Sequence, residues 1–148
     1  METWSRLGLV LMLAVLPLLG MGCSTEPKNI QVTVEAPSQV KNQQKFAILV
    51  HIENSANAPQ TIVDLDIAED FLKGIAIEKT EPVFKEASHI PIDNTMSYNF
   101  NMAIPANGDV TVTFWARAVH PGDYPGHIDI CVNSAISFLT EPLRTVVE

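Results

Sequence analysis

His127, Asp129 and Cys131 stand at alternate positions near the C-terminal end of the chain. In an extended segment, alternate residues share one face about 6.5–7 Å apart. The triple then has the residue types of a metal site, or of a thiol nucleophile with a base beside it. A second group, Asp64, Asp66, Glu69 and Asp70, gathers carboxylates within the run DLDIAED, the hard-oxygen chemistry that calcium takes. A third pair, Trp115 and Arg117, again at alternate positions, joins two residue types favoured as anchors of binding surfaces.

Each group also has an ordinary reading. A cupredoxin-type copper site needs a His and usually a Met shortly after its Cys, and neither residue follows Cys131. A Cys–His nucleophile lacks any segment that would supply an oxyanion hole. The triple therefore reads as an outward polar face with Cys131 half covered by the last strand. DLDIAED has no Gly for a sharp calcium-loop turn and no Glu at position twelve. Asp64 and Asp66 read as solvent-facing, with Glu69 and Asp70 favourably placed in the first turn of a short helix. Trp115 is either a binding patch with Arg117 or is covered by a loop or a second sheet. His51, His89 and His120 are scattered, and there is no GxSxG, HExxH, CxxC or phosphate-binding glycine loop. The expectation is a chain that is not an enzyme, with no cofactor and no metal. An exported metal-binding or hydrolytic protein using His127/Asp129/Cys131 or the Asp64–Asp70 cluster is the alternative.

The segments that carry these residues alternate with period two. Ile30, Val32 and Val34 form one such run, and Phe46, Ile48, Val50 and Ile52 form the strongest. Thr61, Val63, Leu65 and Ile67 alternate with Ile62, Asp64 and Asp66. Ala68–Lys73 predicts one helical turn stopped by Gly74, and Ile75 and Ile77 a short strand. Thr80–Asn94, with Pro82 and Pro91, predicts an irregular crossing of the fold's end or edge. Met96 to Ile104 alternates, with Ser97, Asn99 and Asn101 on a wet face. Pro105–Asp109 carries an Asn-Gly hairpin signal. Val112 and Phe114 face inward opposite Trp115, then Ile128 and Ile130, and Pro142 interrupts before Leu143. The predicted fold is all-β, an antiparallel β-sandwich of about seven to nine short strands. Phe46, Ile48, Val50, Ile52, Tyr98, Phe100, Val112, Phe114, Ile128 and Ile130 are the expected core.

Ahead of this domain lies an apolar run, Leu7–Leu19, closed by small residues and Cys23. As a helix it rises only about 20 Å, short of a hydrocarbon core, so it reads as a secretory signal. Leu19-Gly20-Met21-Gly22-Cys23-Ser24 resembles a bacterial lipobox, although Gly20 stands where that family usually has Leu. The resemblance implies cleavage before Cys23, acylation of its thiol and attachment to the extracytoplasmic side of the cell membrane. An ordinary signal peptide cut near Gly22, or an uncleaved anchor, are the other readings. The expected organisation is residues 1–22 as signal, 23–29 as acylated Cys and short tether, and 30–148 as the sandwich. The formal net charge is -8, which argues against nucleic acid and against electrostatic adhesion to anionic lipid. With Cys23 acylated, Cys131 has no intrachain partner.

The run Pro37-x-x-Val40-x-x-x-Gln44-x-Phe46-x-Ile48-x-Val50-x-Ile52-x-Asn54 resembles the second-strand signature of bacterial extracellular immunoglobulin-like domains of the CARDB and DUF11 types. Pro121-Gly122-x-Tyr124-x-Gly126-x-Ile128-x-Ile130 is similar to their late strand. Those domains usually carry Gly at the position of Gln43. Antibody-type features are missing, since no Cys on the Phe46 strand can pair with Cys131 and Tyr124 lies seven residues before Cys131 rather than two. The resemblance supports an immunoglobulin-like fold more than any activity. The few candidate catalytic groups, each with an ordinary explanation, and the open strand edges favour a non-catalytic display module whose partner is an envelope protein or polymer.

Overall fold

The computed structural model describes residues 25–148. Cys23 and the apolar run before it lie outside the described residues. The elements in order are β1 (Ile30–Glu35), β2 (Gln39–Val40), β3 (Lys45–Asn54), β4 (Gln60–Ala68), α1 (Glu69–Leu72), β5 (Ile75–Glu81), β6 (Glu86–Ile90), β7 (Thr95–Ile104), β8 (Gly108–Ala118), β9 (Gly122–Val132) and β10 (Phe138–Val147). They form two sheets, β1-β3-β8-β5 and β2-β10-β9-β4-β7-β6. All pairings are antiparallel except the short parallel contact of β10 with β2 at Val146–Val147. The protein is a ten-stranded, immunoglobulin-like β-sandwich.

Period-two alternation builds it. Burial along β3 strictly alternates, with Phe46, Ile48, Val50 and Ile52 inward, because one face of a sandwich sheet meets the other sheet and one meets water. All ten expected core residues are buried. The aromatic centre bridges the layers: Phe114 of β8 packs edge-on against Tyr98 of β7, ring centroids 5.3 Å apart, and against Phe100 at 6.3 Å.

Several local expectations are corrected. A β-bulge between Ile62 and Asp64 adds a residue and switches the alternation. Ile62 is therefore buried with Leu65 and Ile67, and Val63 is not. Pro105–Asn107 is not a hairpin turn: β7 and β8 lie in different sheets, and the turn arches between them. Asn107 does take the positive φ, 49°, that Asn tolerates. The arch is fixed by the buried Asn54, whose Nδ2 donates to Ala58 O at 2.9 Å and Pro105 O at 3.1 Å. Thr80–Asn94 is more regular than expected. β5 runs to Glu81 at the edge of one sheet, and the chain then crosses to form β6 at the edge of the other. β10 runs through Pro142, which lies where β10 pairs with β9 alone, so one side of the strand tolerates a missing N–H.

Two close approaches dock α1. A Cβ on Gly126 would sit 2.8 Å from Phe71 Cβ, and one on Gly74 would sit 2.0 Å from the Tyr124 ring. Gly74 is thus required by crowding rather than by a left-handed helix end. Gln43 adopts φ 66°, a left-handed conformation that glycine takes without strain.

Candidate functional site

The two chemical groups of the sequence meet on the outer face of the six-stranded sheet. β4 lies between β9 and β7, pairing Asp64 with Cys131 and Asn99, and Asp66 with Asp129 and Ser97. Residues more than sixty positions apart become cross-strand neighbours. Asp66, Asp93, His127, Asp129, Cys131, Ala135 and Phe138 line a depression of about 230 Å³. Asp93, Ala135 and Phe138 were not legible as members, because only the register brings them there. The acidic cluster itself divides. Glu69 and Asp70 sit on α1, where Asp70 pairs with Lys73 at 2.6 Å and Glu69 with His89 at 3.5 Å.

The depression is held by structural contacts. Thr140 on β10 donates its hydroxyl to Asp129, and Asn99 Nδ2 donates to Asp64 at 2.9 Å. His127 Nε2 lies 3.7 Å from Asp129 Oδ2. Cys131 is 1% exposed, covered more fully than a half-covered strand residue. Its thiol points to Asp66 Oδ2 at 3.7 Å. Burial pushes the Cys131 thiol far up, and the carboxylates of Asp66, Asp64 and Asp129 add to this. That is the opposite of the thiolate a nucleophile or soft-metal ligand requires. Asp66 is not simply solvent-facing: its Oδ1 is buried without a hydrogen-bond partner. Burial raises its pKa, opposed by the Ser97 side chain beside it and reinforced by Asp64 and Asp129. Among the described residues, no group of three or more His, Cys, Asp or Glu side chains is placed to hold a metal ion.

The outer face of the four-stranded sheet has a different character. Trp115 of β8 is cross-strand from Ala47 of β3, and Thr113 from Leu49. Trp115 is 38% exposed, so neither a loop nor the other sheet covers it. Lys79 sits over its ring, 5.6 Å from the centroid. Val34, Glu35, Ala36, Pro37, Ala47 and Leu49 line an adjoining shallow depression of about 410 Å³. Arg117 shares the face of Trp115 but is engaged, with Nε donating to Glu78 Oε1 at 2.7 Å and Nη1 to Gln43 Oε1 at 3.0 Å. The Arg117 hydrogen bond, helped by Lys45, holds the Glu78 carboxyl below its ordinary range.

No protein-family model matches the sequence, and no curated relative matches it. Among solved structures, the chain is similar to the cupredoxin domain of amoB from Nitrosocaldus yellowstonii, at TM-score 0.52 and 11% identity over 84% of this chain and 90% of that one. It is similar to AvmM, described as catalysing macrocyclization in alchivemycin A biosynthesis, at TM-score 0.52 and 8% identity over 84% and 94%. A CARDB domain of the PF1109 protein from Pyrococcus furiosus, in complex with di-metal ions, follows at TM-score 0.49 and 12% identity over 84% and 92%. At such identities the first two likenesses are of fold alone. A cupredoxin-type copper set does not fit this chain, because no His or Met follows Cys131 and its thiol is disfavoured as thiolate.

Proposed function

We propose that this chain is a non-catalytic interaction module, held on the extracytoplasmic side of the cell membrane by lipid on Cys23. It presents the outer face of its four-stranded sheet to another envelope protein or polymer. The observation that carries the reading is the half-exposed Trp115, bordered by Ala47 and Leu49 and by the depression that Pro37 and Ala36 continue. An exposed aromatic with aliphatic neighbours and a charged rim is the usual anchor of a binding patch. Arg117, fixed by Glu78 and Gln43, orders one rim of the patch. The depression around Cys131 supports the non-catalytic half, since its thiol is buried and disfavoured as thiolate. The anchor rests on the Leu7–Cys23 sequence.

A photo-crosslinking residue at position 113, on the same face of β8 as Trp115, tests the patch in native membranes, with Ser88 on β6 as the exposed control. A saturable adduct at 113, absent at 88 and weakened by Leu49→Asp, is expected. Truncating Trp115 to Ala should weaken binding about 30-fold, a loss of about 2 kcal/mol. Stoichiometric bound metal, or hydrolytic turnover lost in His127→Ala or Cys131→Ala, would overturn the reading. Cys23→Ser should release the protein or leave it unprocessed, and equal membrane retention of that variant would overturn the anchor.

A further inference from the structure

The segment Thr25–Asn29 is not a free tether. Thr25 N donates to Ile136 O at 3.3 Å, Gln60 Nε2 to Lys28 O at 3.0 Å, and Ser55 N to Asn29 O at 2.9 Å. The chain is thus stitched to one end of the sandwich, where β1 begins, β3 turns into β4, β7 arches to β8 and β9 turns into β10. The loops of that end also hold one another: Asn107 N donates to Ala56 O at 2.9 Å, and Asn133 N to Thr61 O at 2.8 Å. Only Ser24 separates Cys23 from the first docked residue, so Cys23 lies within about 7 Å of Thr25 even with the chain extended.

This end is chemically unlike the rest of an acidic protein. Its loops Ser55–Pro59, Pro105–Asn107 and Asn133–Ser137 contain no Asp, Glu, Lys, Arg or His. The net charge of -8 is carried elsewhere. The opposite end holds Lys41, Glu69, Asp70, Lys73, Asp93 and Asp123. The docked Thr25–Asn29 segment adds one exposed carboxylate, Glu26, and one exposed ammonium, Lys28, whose charges cancel. The next acidic groups inward are Glu53 and Asp109, paired across β3 and β8 on the outer face. From this end projects Ile136, 65% exposed, on the same loop that receives Thr25.

We propose that this end, with charge-free loops and no net charge on its docked segment, is a lipid-facing surface, apposed to the bilayer with Ile136 seated among the headgroups. The proposal rests on the anchoring reading and adds to it a fixed orientation. A docked chain segment with one intervening residue leaves the acylated Cys no length with which to turn the domain over. A bilayer surface that contains anionic lipid bears negative charge, which repels the acidic flanks and tolerates loops without charge. An exposed aliphatic side chain beside the anchor gains by leaving water. The Trp115 face then stands roughly along the membrane normal, open to a partner at the side.

The test uses the full chain, purified with its lipid and reconstituted into vesicles of phosphatidylethanolamine and phosphatidylglycerol. An environment-sensitive fluorophore is attached at Ile136→Cys or, at the far end, at His120→Cys. The buried Cys131 and an acylated Cys23 stay unlabelled. Expected are a blue shift at 136 and quenching there by headgroup-bound quencher, with neither at 120. If the protein floats with the vesicles but the two positions respond alike, the orientation is wrong and the anchor stands. If it does not float and Cys23 itself takes label, anchor and orientation fall together. Should either cysteine variant misfold, protection of Ile136 from carbene labelling on vesicles, relative to detergent, reads the same contact in the unmodified chain. Its absence overturns the proposal.

Discussion

In the folded protein, Cys131 should react with a thiol reagent only as fast as the fold opens. Its side chain is 1% exposed, beneath Ala135 and Phe138, so reagent meets sulfur only after the Asn133–Phe138 region lifts. If that opening costs about 4 kcal/mol, within the span between local fraying and global unfolding, labelling slows about a thousandfold. The thiolate is disfavoured as well, first by burial and then by Asp66, Asp64 and Asp129. Tyr98 is pushed the same way, to about 12, by burial and by Glu69. Both are acids whose folded pKa lies above the unfolded one. Their contribution to stability is intact below the unfolded values, 9.0 for the thiol and 10.0 for the phenol, and is lost as pH climbs from there. Each group can tilt stability by at most about 1.4 kcal/mol per pH unit in its window. The assay is thiol titration at pH 8 with and without urea, followed by urea unfolding from pH 8 to 11. Wild type should lose stability above pH 9 more steeply than Cys131→Ala. Native labelling within about tenfold of the unfolded rate, or parallel alkaline limbs for the two proteins, would refute the reasoning and revive a reactive-thiol role.

Gly126→Ala should destabilise the domain by about 1–3 kcal/mol in urea unfolding, because its Cβ would press on Phe71 Cβ at 2.8 Å and Ala68 Cβ at 3.3 Å. A change near zero would show that α1 is free to shift. Asp66→Asn should raise stability at pH 7 by about 1 kcal/mol, since it neutralises a carboxyl with a buried, unpartnered oxygen. The raised pKa of Asp66 means that its penalty enters as pH rises from the unfolded value of 3.8. The gain should therefore vanish in acid. A variant less stable than wild type at pH 7 would refute this.

What was legible in the sequence was the inward face. Alternation in Phe46–Ile52 or Val112–Phe114 reports burial one strand at a time, and all ten core residues follow from it. The bulge at Ile62/Asp64 was hidden, because an inserted residue looks like continued alternation until the partner strand is known. β6 was hidden because an edge strand with an exposed face, EASHI, has no need of an apolar stripe. The depression of Asp66, Asp129 and Cys131 was present as two separate clusters. Only the order β9-β4-β7, a non-local property, joins them. The docking of Thr25–Asn29 runs largely through backbone groups, which leave no signature in side-chain pattern.

That docking also sets how tension would travel through the domain. β1 leaves the stitched end and runs antiparallel to β3 through six register pairs, Ile30↔Asn54 to Glu35↔Leu49. Under the proposed anchoring, a pull at Thr25 opposed by a load on Trp115 of β8 acts along the strands. It passes from β1 to β3 to β8 across ladders strained in shear, where many hydrogen bonds must fail together. A pull at right angles would open them one by one. A lengthwise load at Thr25 therefore meets more resistance than a load across the sheet.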